Sequence, residues 1–119
     1  MKGKRNERVA ELIRQELGAK LVLGMKDPRI KFVTVTHVDL SEDLKFAKVF
    51  YTVLGNDQKK KEIRVVLEKA RGFLQQNLGD ALRLRYTPHL TFILDTSLDE
   101  AKKIDSIIHK IHEEEQHEA

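Results

Sequence analysis

The apolar positions divide the chain into segments of two different periods. Val9, Leu12, Ile13, Leu17 and Leu21 recur at steps of three and four, one face of a helix running from about Asn6 to Leu23. Asn6 is suited to accept a hydrogen bond as its N-cap, Glu7 to complement the positive helix start, and Gly24 to stop it. Asp27-Pro28-Arg29 predicts a turn, because proline fixes its own φ and restrains the residue before it. The period then falls to two. Phe32 to Leu40 is rich in β-branched residues and predicts a strand, followed by a polar turn at Ser41-Glu42-Asp43. A second strand puts Ala47, Val49, Tyr51 and Val53 on one face and Phe46, Lys48, Phe50 and Thr52 on the other. The two strands predict an antiparallel hairpin, ended by Gly55-Asn56-Asp57.

Helical spacing returns from about Gln58 to Leu84, carried by Ile63, Val66, Leu67, Ala70, Leu74, Leu78, Ala81 and Leu82. Gly72, in Ala70-Arg71-Gly72, costs about 1 kcal/mol against alanine inside a helix and is a recognised cause of kinks. Two helices meeting at an angle are therefore expected, not one rod of about 40 Å. Pro88 leads into a third strand from Leu90 to Asp95. Ser97-Leu98-Asp99-Glu100 has the form of a capping box. It opens a helix over about 97–113 with Leu98, Ala101, Ile104, Ile107, Ile108 and Ile111 on one side. That helix is expected to fray through Glu113-Glu114-Glu115, where acidic residues oppose the negative helix end. A strand returning after a helical crossover lies parallel to its neighbour, with a right-handed connection. The prediction is one α+β domain over 1–119, its core at about 5–95, with helices on one face of a three-stranded mixed sheet.

Length and composition agree with that outline: 119 residues fit one domain, 40% hydrophobic residues supply a core, and 34% charged residues make the surface heavily ionic. No apolar run approaches the roughly 20 residues of a membrane span, and the polar start has no signal-peptide core, so a cytoplasmic protein is expected. The absence of cysteine excludes disulfides, thiolate catalysis and cysteine zinc sites. Net charge is +3, but unevenly spread. Residues 96–119 hold 3 basic and 7 acidic side chains, which leaves the rest of the chain at +7. A basic body with an acidic end suits a polyanionic partner; a solubilising surface with a solvated tail is the alternative.

Catalytic patterns are missing. Gly55 and Gly79 are lone glycines and not a phosphate-cradling loop, and no serine sits in a Gly-x-Ser-x-Gly elbow. His109 and His112 could share a metal on one helix, but no third ligand has useful spacing. Asp39, Glu42 and Asp43 gather at the hairpin, where turn chemistry accounts for them. No active site, metal or cofactor is expected. The basic residues are better placed. Lys69 and Arg71 flank the expected kink with Arg64 before them, and Arg83 and Arg85 close the helical region. Lys26, Arg29 and Lys31 bracket the first turn, Lys45 and Lys48 lie on the second strand, and Lys2, Lys4, Arg5 and Arg8 form a basic N-terminal arm. Backbone N–H groups freed at a kink would face an anion, and guanidinium forks match phosphate. Singly these are solvated charges; together they point to an RNA or DNA backbone.

The predicted order helix–strand–strand–helix–helix–strand is that of a type II KH domain, whose helix junction usually carries a nucleotide-clamping Gly-x-x-Gly. Here Ala70-Arg71-Gly72 occupies that junction. In this the chain resembles the ribosome-binding factor A family, bacterial maturation factors whose KH-like domain has Ala-x-Gly there. The resemblance spans about residues 5–111. It is carried by Arg8-Val9-Ala10, Glu16-Leu17, Asp27-Pro28-Arg29, Val33-Thr34-Val35-Thr36, Ser41-Glu42-Asp43-Leu44 and Ala47-Lys48-Val49. It continues through Gly72-Phe73-Leu74, Leu82-Arg83-Leu84-Arg85, Pro88-His89-Leu90-Thr91-Phe92 and Asp95, with His89 replacing an acidic residue common in the family. The resemblance implies a non-enzymatic protein that binds the small (30S) ribosomal subunit. It also implies a role in late maturation and 5′-end processing of 16S rRNA, and in growth in the cold. RNA contacts would fall to Lys69 and Arg71 at a kink formed by Ala70 and Gly72, to Arg83 and Arg85, and to Lys45 and Lys48. Arg29 either joins them or locks its turn by pairing with Asp27. The implied partners are the subunit, its rRNA and other assembly factors, met as a monomer. A different class of function stays open: an adaptor that docks a ribosomal protein or assembly factor through the C-terminal helix.

Overall fold

In the computed structural model, which describes residues 3–118 and all their side chains except those of 98, 99, 101, 102 and 114–118, the predicted stripe of the first helix is buried at Ile13, Leu17 and Leu21, half-buried at Val9 and exposed at Leu12, with Ala10 taking the inward place instead. Helix α1 (Lys4–Leu23) buries Ala10, Ile13, Leu17 and Leu21. It starts before Asn6, with extended Gly3 as its N-cap. Asn6 does not cap, because its side-chain amide donates across to the Ser41 carbonyl at 2.7 Å. Lys4, Arg5 and Arg8 are therefore helical and not an arm, while Lys2 lies outside the described residues. Gly24 ends α1 as expected, its N–H donating to the Lys20 carbonyl at 2.8 Å. The Asp-Pro-Arg turn is a 3-10 turn, Pro28–Phe32, capped by the Asp27 carboxylate and anchored by fully buried Ile30.

Strands β1 (Val33–Leu40), β2 (Phe46–Val53) and β3 (His89–Leu94) form a sheet in that order, β1 antiparallel and β3 parallel to β2. Ala47, Val49 and Tyr51 of β2 are buried while Phe46 and Lys48 are exposed, so one face of the sheet carries the core. β1 reaches that core only through a bulge. Its register slips between Val35 and His37, so Val33 and Val35 face inward before the slip and Val38 and Leu40 after it. Thr36, the extra residue, is held there by its hydroxyl, which donates to the Phe50 carbonyl at 3.3 Å and to Asp95 at 3.0 Å.

The expected helix pair is one helix. Helix α2 (Asp57–Leu82) runs without a break through Ala70, Arg71 and Gly72. Ile63, Val66, Leu67, Ala70, Leu74 and Leu78 form a continuous buried stripe on both sides of Gly72. Keeping that stripe in register outweighs the glycine penalty of about 1 kcal/mol. Asn56 caps its start, accepting from the Lys59 N–H at 3.0 Å. The helix stops two residues earlier than its periodicity suggested, at a left-handed Arg83 (φ 51°). Across the far edge of the sheet, the Gln75 side chain accepts from the Leu90 N–H at 2.9 Å, satisfying a donor that no further strand reaches.

Helix α3 (Ser97–Glu118) differs from expectation at both ends. Ser97 is its first residue and not a capping serine, and its N–H donates to the Asp95 carboxylate at 3.0 Å. The helix continues past Glu113, whose carboxylate lies 3.2 Å from the His109 Nε2 one turn back. Ile104, Ile107, Ile108 and Ile111 remain about half exposed, and the side chains of Leu98 and Ala101 lie outside the described residues. The radius of gyration is 18.2 Å, against about 13.5 Å for a compact chain of this length. A long axis of 66 Å fits a body of α1, α2 and the sheet with α3 extending from it. Among the described residues, no helix is long and apolar enough to cross a membrane.

Candidate nucleic-acid interface

The predicted contact residues do not converge on an elbow, because there is none. They separate into three places set by the antiparallel packing of α1 on α2 and by the two faces of the sheet.

The first lies where the start of α1 meets the end of α2. A cavity of about 390 Å³ opens there between Arg5 and Val9 of α1, Leu44 of the hairpin, and Arg83, Arg85 and Tyr86 after α2. Arg83 and Arg85 are exposed. The Arg85 guanidinium lies 5.5 Å from the centre of the Tyr86 ring. Lys45 belongs to the same end: its carbonyl accepts from His89 N–H at 2.8 Å, next to Pro88 in the cavity wall. The nearby Asp43 carboxylate is already committed, accepting from the Ser41 hydroxyl at 2.6 Å and the Lys45 N–H at 3.0 Å. Those bonds hold it below the usual aspartate range, so it stays ionised at neutral pH.

The second lies about 30 Å away at the other end of α1, given 1.5 Å per residue. There a groove of about 800 Å³ runs between the Gly24 to Arg29 segment and α2, floored by Val65, Val66 and Phe73 and flanked by Lys26, Arg29 and Lys69. Arg29 is occupied: its Nε and a terminal nitrogen bond the Asp27 carboxylate at 3.0 and 2.7 Å, the turn-locking role. Arg71 is withdrawn as well. It pairs with Glu68 one turn back, and its Nε is buried without a hydrogen-bond partner. Lys69 is exposed and makes no ion pair among the described residues.

The third is the uncovered face of the sheet. Lys48 stands opposite Asp39 and beside Thr91, with Phe46 set edge-on to His89 at 6.5 Å. The Asp39 neighbour places opposite charges directly across the ladder, a stabilising pair in an antiparallel sheet.

Of the predicted residues, then, Arg83 and Arg85 line one cavity, Lys45 follows its hairpin wall and is tied by its backbone to His89, and Lys69 and Lys48 each lie elsewhere. Arg29 and Arg71 neutralise acids on their own elements. Tyr86 was passed over in the sequence, although the alternation Arg83-Leu84-Arg85-Tyr86 places a basic pair beside an aromatic ring, the composition of a single-strand platform. Among the described residues no three histidine, aspartate or glutamate side chains gather in a metal-binding group.

A profile of the ribosome-binding factor A family matches residues 5–108. The chain is 43% identical over 113 residues to the ribosome-binding factor A of Geotalea uraniireducens, covering 95% of this chain and 93% of that one. Among solved structures, it is similar to a Thermotoga maritima protein at 32% identity and a TM-score of 0.66, over 76% of this chain and 86% of that one. It shares its fold with a homology model of the Thermus thermophilus ribosome binding factor A as fitted into a cryo-EM map of a 30S complex. That likeness has a TM-score of 0.60 at 23% identity, over 73% of this chain and 91% of that one. Three helices and a three-stranded mixed sheet, in the predicted strand arrangement, agree with the KH-like expectation. Matched along nearly its whole length by the family profile and by a close relative, the chain belongs to the ribosome-binding factor A family.

Proposed function

We propose that this protein binds the small (30S) ribosomal subunit in the cytoplasm as a monomer, contacts its 16S rRNA through the basic end of the body, and catalyses nothing. Its role is to assist late maturation and 5′-end processing of that RNA, including during growth in the cold. The observation that carries the reading is the gathering of Arg5, Lys45, Arg83 and Arg85 from three separate segments at one end of the fold. The 30S complex named for the Thermus relative lends it support. Guanidinium contacts to phosphate give affinity with a steep salt dependence. Replacing Arg83 and Arg85 together by glutamate is expected to abolish co-sedimentation with immature 30S subunits while circular dichroism stays unchanged. It is also expected to flatten the slope of log K against log salt by about 1.5. Undiminished co-sedimentation would remove these residues from the role. Lys69→Glu and Lys48→Glu, measured in parallel, report whether the groove and the open sheet face share it.

The exposed Ile104, Ile107, Ile108 and Ile111 stripe favours a second reading, an adaptor that docks a ribosomal protein or another assembly factor through α3. Deleting residues 97–119 separates the two. Subunit association lost with affinity for free RNA intact favours the adaptor; both retained favours the RNA reading.

A further inference from the structure

The cavity between Arg5, Leu44, Arg83 and Tyr86 has features that a merely basic surface lacks. Its volume of about 390 Å³ falls at the small end of ligand sites, which run to roughly 1,000 Å³, and suits one nucleotide and not a double helix. Its floor is apolar, formed in part by Val9, Ile13 and Leu40. Three guanidiniums meet around it against one carboxylate, and that carboxylate is turned to the hairpin backbone. Tyr86 is 68% exposed, with Arg85 near the ring. The backbone singles out the same place. Among the described residues, two non-glycine residues have positive φ, Leu44 at 64° and Arg83 at 51°, and both line this cavity. Left-handed backbone at branched or long side chains is unfavourable, and such residues concentrate at ligand sites. Here a glycine would end α2 more easily than Arg83, but it would bring no cation to the cavity mouth.

We propose that this cavity holds one unpaired RNA nucleotide, its base stacked on Tyr86 over the apolar floor and its phosphate held by Arg83, Arg85 and Arg5. This rests on the RNA-binding reading and sharpens it. The body then selects a single-stranded segment or a flipped base, since a paired base cannot reach the ring.

The test uses the full chain, a six-nucleotide oligoadenylate carrying one 2-aminopurine, and a blunt RNA duplex as the competing form. Wild type is expected to bind the single strand with quenching of 2-aminopurine. Tyr86→Ala should weaken that binding by about tenfold or more, because stacking on an aromatic ring contributes strongly per base, and should leave duplex binding unchanged. Tyr86→Phe should restore the stack. Arg83→Gly should lose affinity for the single strand while unfolding no more readily than wild type, which separates ligand contact from fold. Equal affinity of wild type and Tyr86→Ala for the single strand would overturn the subsite and leave the RNA reading standing. Failure of wild type to bind either RNA would overturn both.

Discussion

Asp27 accepts from the Arg29 N–H at 3.0 Å and from the Arg29 guanidinium at 2.7 Å. Hydrogen bonds from that side chain hold its carboxyl at about 2, below its ordinary 3.8. Glu11 beside Arg14 is likewise held at about 2, chiefly by the guanidinium hydrogen bond. A carboxylate whose folded pKa is depressed adds stability that is complete above its unfolded value and disappears as pH falls through the folded one. The urea midpoint is therefore expected to hold from neutrality to about pH 4.5 and then fall toward pH 2, with Asp27→Asn making that fall shallower. Both pairs are solvent-exposed, so each shapes the pH profile more than the total stability. Arg83 shows the opposite balance. Its left-handed backbone disfavours a side chain, so Arg83→Gly should raise the unfolding free energy by about 1 kcal/mol in a urea titration.

At the scale of elements, α2 carries the clearest correction. A glycine in mid-helix bends the chain only when something inserts into the hydrogen-bond ladder or the buried face needs a new direction. Neither holds at Gly72, which is exposed, with open space where a Cβ would stand. Gly72→Ala is expected to raise the unfolding free energy by about 0.5–1 kcal/mol, whereas a functional bend there would make the same change costly. At the other end of the ledger for this helix, Asn56→Ala removes the acceptor of the Lys59 N–H and should lower stability by about 1 kcal/mol. The β1 bulge was legible in a way the strand reading did not use. Its apolar positions change phase, from Val33 and Val35 to Val38 and Leu40, and one extra residue is what keeps both pairs on the same face.

Across the whole molecule, stability and function occupy different parts. The core joins α1, α2 and one face of the sheet, so Leu67→Ala at a fully buried site should cost about 2–5 kcal/mol in denaturant unfolding. Replacing Ile104, Ile107, Ile108 and Ile111 by glutamine should change the melting temperature little, because exposed substitutions typically stay within about 0.5 kcal/mol each. A large drop would mean that those side chains are packed in solution. The charge asymmetry of the sequence takes spatial form here: the basic body presents a cavity rimmed by Arg5, Arg83 and Arg85, and the acidic end is drawn out along α3.

Periodicity determined the helices and strands, because each buried face repeats with its own backbone geometry and that repeat is local in the chain, and the order of elements with the crossover rule then gave the mixed sheet. The pairing of Arg29 with Asp27 was legible for the same reason, since two residues separate them. Tertiary packing decided the rest. Whether Gly72 bends α2 depends on what the helix packs against, and the continuous stripe against the sheet keeps it unbroken. Which cations share a surface depends on the antiparallel docking of α1 on α2, which brings Arg5 to Arg83 and Arg85, while the unbroken α2 holds Lys69 about 21 Å from Arg83 at 1.5 Å per residue. No local pattern encodes that meeting, because it is made by core contacts between residues far apart in the chain.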